Sequence, residues 1–253
     1  MYNIKIILEF DGTNYSGWLK QSNEEIVTVQ RTVEKAVSKL VGKEIEINGC
    51  SRTDAGVHAI NYVVNFTIES SIPPEKFYKA LNPFLPHDIK AKASCEVDSE
   101  FHSVYTAKKK TYRYYFYFDE TERPMFNNRA WNAAKKINLS QEQILSLTNK
   151  ACSYLIGEHD FSSFKASGGL AKTSVRTIFS AEVKVCGENM YYLEICGDGF
   201  LYNMVRIIAG TLVGVATERF KPEDVANMIV AKDRKKAGVT APPHGLYLYN
   251  VEY

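Results

Sequence analysis

The chain alternates between the period of a strand and the period of a helix in one order, strand, helix, strand, strand, helix, strand, and then runs through that order again. Ile4, Ile6, Leu8 and Phe10 alternate with polar partners up to the Asp11-Gly12 turn, the mark of a half-buried strand. Thr28 stands where a helix N-cap is needed. Val29, Val33, Ala36, Val37 and Leu40 then share one helical face, and Gly42 lies just past the last turn. A short strand over 44–48 and a longer β-branched one over 62–68 follow. Pro73-Pro74 opens a second helix that Pro83 stops, and 88–97 supplies a fourth strand.

The second pass begins with a long aromatic strand over 105–118. Ser140 and Gln143 form a capping box ahead of Ile144, Leu147, Ala151 and Leu155, with Gly157 at the end. Residues 173–185 and 190–196 read as a hairpin turning at Gly187-Glu188-Asn189. A helix from Phe200, a shorter one opening at Pro222 and a strand over 246–251 close the chain. The fold class these elements imply is α+β. Two similar lobes of βαββαβ order, ferredoxin-like or RRM-like halves, would form a mainly antiparallel sheet with a central catalytic cleft. The lobes divide near residue 104, into 1–104 and 105–253.

Apolar residues make up 45% and charged residues 24% of the chain, enough to fill a sizeable core. No uncharged apolar run reaches the ~18 residues of a membrane span, and the N-terminus enters a strand without a signal-peptide pattern. Cys50, Cys95, Cys152, Cys186 and Cys196 show no Cys-x-x-Cys spacing. They fit neither a disulfide framework nor a zinc site, and suit a reducing cytoplasm. The net charge is only +2, so binding to nucleic acid would rest on local clusters. One is Lys108-Lys109-Lys110 leading into Tyr112-Arg113-Tyr114-Tyr115. The other, Lys232 with Arg234, Lys235 and Lys236, reads as a solvated helix end.

Three constellations stand out. Residues 49–59, Gly-Cys-Ser-Arg-Thr-Asp-Ala-Gly-Val-His-Ala, place Arg52, Asp54 and His58 among small residues between two strands. Gly49 and Gly56 permit a sharp turn there, so the loop either holds a local ion pair or presents a catalytic carboxylate. The helix from Phe200 to Ala216 is apolar nearly all round, hence buried, yet carries Arg206. A guanidinium keeps its proton, so it needs a carboxylate or several carbonyls. Asp54 is the functional candidate and Asp198 the local one. Finally, the aromatic strand puts Lys108, Lys110, Tyr112, Tyr114 and Phe116 on one face, with Arg113 and Tyr115 on the other. Such a face is either core or a track for a phosphate backbone with a stacked base, and Tyr112 lies at its rim. Phosphate-binding loops and nucleophile elbows are missing from the sequence. Gly157-Glu158-His159-Asp160-Phe161 reads as a capping and packing loop.

Several segments, taken in order, resemble the TruA-type tRNA pseudouridine synthases. They are Phe10-Asp11-Gly12-Thr13 with Tyr15, Gly17 and Trp18, then Thr28-Val29-Gln30, the loop Arg52–His58, Leu81-Asn82 and Leu85-Pro86. Phe101-His102, 110–114, 157–164, Gly199-Phe200-Leu201 with 203–206, and the stretch from Ala237 to Leu248 complete the set. The resemblance implies a cofactor-free isomerase, without metal, that converts uridine to pseudouridine in the anticodon stem–loop of tRNA, at positions 38 to 40. It also implies a homodimer working in the cytoplasm. By it, Asp54 is the catalytic aspartate, Arg206 its partner, Tyr112 the active-site tyrosine, and Leu246, rather than Leu248, the leucine against the base. Arg52, which would displace the base from its stack, His58, Lys108, Lys110 and Arg113 are the expected RNA contacts. Leu19, Cys50-Ser51 and Asp198 depart from the family's usual residues.

Moving uracil from an N- to a C-glycosidic bond needs one ionised carboxylate, attacking the sugar or removing its 2′ proton. It also needs an unstacked base and a pocket that excludes water.

Overall fold

The alternation at the N-terminus becomes β1 (Tyr2–Phe10), with Ile4, Ile6 and Leu8 fully buried on its inner face. The computed structural model describes residues 1–134 and 136–253, in two units: Met1–Lys108 with Tyr247–Tyr253, and Lys109–Leu246. In the first unit α1 (Val29–Val41) starts where the Thr28 hydroxyl accepts the Arg31 N–H. It stops at Gly42, whose φ of 75° only glycine adopts cheaply. Val29, Val33 and Val37 turn inward as the periodicity requires.

The next strand is far shorter than expected: β2 is Asn48–Gly49. The residues before it bond to α1 side chains instead of a ladder. Ile45 N–H donates to Ser38 Oγ, Ile47 N–H to Glu34 Oε1, and Gln30 Nε2 to Ile47 O. β3 (His58–Ile68) begins earlier than its β-branched run suggested, α2 (Phe77–Leu81) is a brief helix, and β4 (Ile89–Val97) follows. β1 lies antiparallel between β4 and β3, and β2 pairs antiparallel with β3. The last strand of the chain joins β3 in parallel, Tyr247 opposite His58. Residues 247–253 therefore fall in the N-terminal unit, outside the lobe that a division near 104 would give them.

The second unit contains β5 (Lys109–Phe118), β6 (Trp131–Ala134), α3 (Gln141–Ser153), β7 (Gly157–Asp160), β8 (Val175–Gly187) and β9 (Met190–Gly197). α4 (Met204–Ala216), α5 (Asp224–Ala231) and β10 (Leu246–Glu252) complete the chain. β5, β9, β8 and β7 pair antiparallel in that order, and β6 lies parallel to β5. The fold is thus α+β with mainly antiparallel strands. The first unit has the βαββαβ order in β1, α1, β2, β3, α2 and β4; the second departs from it. β6 and β7 are additional, two helices follow β9, and the strand that would finish the repeat pairs with β3. The segment expected to be a packing loop forms β7.

The capping box is present: Ser140 Oγ accepts the Gln143 N–H and Gln143 Oε1 accepts the Ser140 N–H. α4 starts at Met204, later than expected, because Asn203 lies at φ 60° and breaks the helix path. It is buried nearly all round, against α3 and β5. A Cβ on Gly210 would overlap Val239 O, and Thr211 Oγ1 accepts the Gly238 N–H at 2.9 Å. The segment leading into β10 is therefore fixed to the back of α4.

Candidate active site

The loop between β2 and β3 is locked from outside by residues 11–18. Trp18 N–H donates to Thr53 O at 3.2 Å, and Gly56 N–H to Tyr15 O at 3.2 Å. Gly17 holds φ 86°; a Cβ there would overlap Thr53 O and come within 3.1 Å of the Asp54 carbonyl carbon. Gly12 is packed as closely on Val57 O. Beneath the loop Trp18 stacks on Tyr62 at 4.2 Å, and a Cβ on Gly49 would strike that indole. The Tyr62 hydroxyl donates to Ser51 O and accepts the Ser51 N–H. Within this frame the Val57 N–H bonds to Asp54 O at 3.2 Å, closing a tight turn with Gly56 at φ 78°. Asp54 is half-buried and Arg52 exposed. The backbone at Asp54 is thus specified on both sides by glycines and carbonyls, which lets a short carboxylate be presented with little conformational freedom.

His58, expected to touch RNA, is 1% exposed and stacks on Tyr247 at 4.6 Å. Its Nδ1 accepts the Gly12 N–H at 3.0 Å and lies 3.1 Å from Asp11 Oδ1. The imidazole braces the loop from within.

In the second unit Arg206 is half-buried on α4. Nε donates to Ala241 O at 2.8 Å and Nη1 to Asn203 Oδ1 at 2.8 Å. The backbone repeats the link, Ala241 N–H to Arg206 O at 3.1 Å. Two bonds in fixed fork geometry set the plane of the guanidinium. Asp198, the local candidate partner, is exposed and its Oδ1 accepts the Thr177 N–H at 3.0 Å. Tyr112 is 6% exposed and meets Phe200 edge-on at 5.1 Å. Leu246 is buried at the start of β10, as is Leu248. Burial, with Arg206 adding to it and Glu122 opposing, holds the His244 imidazole below its ordinary pKa.

The face of β5 that carries Tyr112, Tyr114 and Phe116 is core, with Tyr114 bonding through its hydroxyl to Pro242 O at 2.8 Å. Arg113, on the other face, is committed to Glu194 (2.7 Å) and lies over Tyr192 at 4.8 Å. Lys108 is exposed and Lys110 half-buried. In the second basic cluster Arg234 donates to Gly238 O at 2.8 Å and Thr240 Oγ1 at 3.0 Å, and so holds the segment before β10.

The sequence reading missed Asp88, whose carboxylate accepts the Tyr15 hydroxyl at 2.7 Å, and Asn203 and Ala241 around Arg206. Tyr15 and Asn203 stand in the quoted motifs; Asp88 has no local signal beyond its place before a strand. Among the described residues no group of three or more His, Cys, Asp or Glu side chains converges as a metal site.

The chain matches the protein family described as tRNA pseudouridine synthase over residues 6–106 and 151–253. It is similar over its full length, and theirs, to proteins named tRNA pseudouridine synthase A. Those of Ruminiclostridium cellulolyticum, Acetivibrio thermocellus and Clostridium acetobutylicum are 45%, 46% and 46% identical over 253 residues, covering 100% of both chains.

Proposed function

The chain belongs to the tRNA pseudouridine synthase family, and from that premise we propose that it isomerises uridine to pseudouridine in the anticodon stem–loop of tRNA, at positions 38 to 40. The reaction breaks the bond from N1 to C1′ and forms one from C5 to C1′; the C5 proton leaves to water and N1 gains one. Nothing is oxidised and no atom is added, so the chemistry calls for no cofactor. What carries the reading is the half-buried Asp54 in a turn whose backbone is pinned by residues 11–18.

In this reading Asp54 supplies the carboxylate that attacks C1′ or removes the C2′ proton. Arg206, its guanidinium set by Ala241 and Asn203, is the partner that the sequence resemblance implies for that carboxylate. Tyr112 and Leu246 form the apolar surround that keeps water from the sugar intermediate. Exposed Arg52 replaces the displaced base in the stack, and Lys108 and Lys110 meet phosphates. His58 and Arg113, already engaged with their neighbours, are left out of the RNA contacts. The region of the tRNA, a cytoplasmic setting and a homodimer are carried over from the sequence resemblance.

The test is tritium release from tRNA transcribed with 5-tritiated uridine, with the product mapped by primer extension. Wild type releases tritium and marks positions 38 to 40. Asp54→Asn lowers the rate on the order of 10³-fold or more while tRNA affinity stays within a few-fold. Equal rates for the two proteins would remove Asp54 from the chemistry, and product mapped elsewhere would refute the assigned region.

A further inference from the structure

Residues 11–18 are themselves anchored at several points: the Ser16 N–H donates to Val27 O, Gly17 O and Trp18 O accept the Val29 and Gln30 N–H groups, and two further bonds go to one residue, Asp88. Asp88, just ahead of β4, accepts the Asp11 N–H on its backbone oxygen at 2.9 Å and the Tyr15 hydroxyl on its carboxylate at 2.7 Å. Those two bonds hold the start of the segment whose backbone meets the Asp54 loop at Gly12, Tyr15, Gly17 and Trp18. Tyr15 is the link between the two layers. Its side chain reaches Asp88, and its own carbonyl accepts the Gly56 N–H at 3.2 Å. Gly56 is two residues from Asp54 in a turn at φ 78°, so a shift of the Tyr15 carbonyl carries straight into that turn.

From this geometry we infer that Tyr15 and Asp88 are positioning residues for the reaction, holding the Asp54 turn at its reacting distance through the Tyr15 carbonyl. The inference rests on the catalytic role proposed for Asp54. Tyr15 is buried, and a phenol whose only task was to fill space would be served equally by phenylalanine. Burial, and then the bond to Asp88, pushes the Tyr15 hydroxyl well above the ordinary tyrosine range, so it remains a donor across the working pH range. The side-chain bond between Tyr15 and Asp88 bears on the loop through the Tyr15 carbonyl, which accepts the Gly56 N–H. Losing the anchor keeps Asp54 and the Val57 to Asp54 turn bond but loosens the hold on that turn at Gly56. Sub-ångström drift of a catalytic group is felt in the chemical step more than in substrate binding.

The experiment measures kcat and KM by tritium release from the same tRNA for wild type, Asp54→Asn, Tyr15→Phe, Asp88→Ala and Asp88→Asn, with thermal unfolding of each. Tyr15→Phe and Asp88→Ala are expected to lower kcat roughly tenfold with KM within about twofold. The double variant Tyr15→Phe with Asp88→Ala should be no slower than the worse single one, because both remove the same bond. Asp88→Asn retains an oxygen for the phenol and should recover most of the rate that Asp88→Ala loses. If Tyr15→Phe does not fold, Asp88→Ala against Asp88→Asn makes the same discrimination.

An unchanged kcat in folded Tyr15→Phe and Asp88→Ala, beside an inactive Asp54→Asn, overturns the positioning role and leaves the catalytic one standing. Equal losses in Asp88→Asn and Asp88→Ala overturn it as well. An active Asp54→Asn overturns the reading beneath it.

Discussion

The surroundings of Asp54 and those of Arg206 show two ways of aiming a charged side chain. Around Asp54 the work falls to main-chain atoms of a distant segment: Trp18 and Gly56 N–H groups, the Thr53 and Tyr15 carbonyls, and glycines at 12 and 17 packed without room for a Cβ. Around Arg206 the side chain aims itself, with Nε on Ala241 O and Nη1 on Asn203 Oδ1, from a buried helix. A backbone lock tolerates almost no added atom but is indifferent to most side-chain chemistry. A side-chain lock is graded, because each bond can be lost by itself. The short carboxylate has too little reach to search for its place, so its backbone must be set; the long guanidinium can be fixed at its tip.

The sharpest way to break this contrast is Gly17→Ala. A non-glycine residue at φ 86° is strained, and its Cβ would overlap Thr53 O, so a loss of about 3 kcal/mol or more is expected. Activity should fall further than stability does. A denaturant midpoint within about 0.5 kcal/mol of wild type would mean that the cradle is looser than its distances suggest.

A smaller effect is expected from Arg206→Lys, which retains the charge and loses the fork. Bonds to Ala241 O and Asn203 Oδ1 cannot both be kept by an ammonium, and a loss of about 1–2 kcal/mol in transition-state stabilisation follows. Single-turnover rates would show it, with Arg206→Ala slower still. Identical rates for lysine and alanine variants would show that geometry, not charge, is all that Arg206 contributes.

The smallest concerns His244, near Arg206. Burial and then Arg206 hold its pKa below the ordinary value in the fold, with Glu122 opposing. The unfolded chain therefore binds the proton first as pH falls past about 6.5, and stability declines from there down to the folded pKa. The group is only half-buried, so solvent screens the effect and keeps it small. Urea midpoints measured between pH 7.5 and 5.5 should converge for wild type and His244→Gln at the upper end and part at the lower. Parallel curves would disprove the assignment.

Much of this was legible in order along the chain. The face of β1, the Thr28 cap with Gly42, the Ser140 capping box and the hairpin of β8 and β9 all rest on contacts within a turn or between neighbouring strands. The 44–48 segment was not legible, because its backbone is satisfied by Ser38, Glu34 and Gln30 side chains of α1. The exposure of a chemically suggestive residue was not legible either. His58 and Arg113 look in sequence like contacts for an anion, yet one is buried against Tyr247 and the other is paired with Glu194.

The chain's order of residues by itself determined most of the helices and long strands, the tight turn around Asp54 and the burial of the helix around Arg206, since each follows from local torsional preference or side-chain periodicity. Only the tertiary structure decided which residues hold that turn, that the last strand lies beside β3, and that Asp88 anchors Tyr15. Those are bonds between main-chain atoms and side chains far apart in sequence. Every residue carries the same N–H and C=O, so no pattern of side chains announces which carbonyl a given amide will meet.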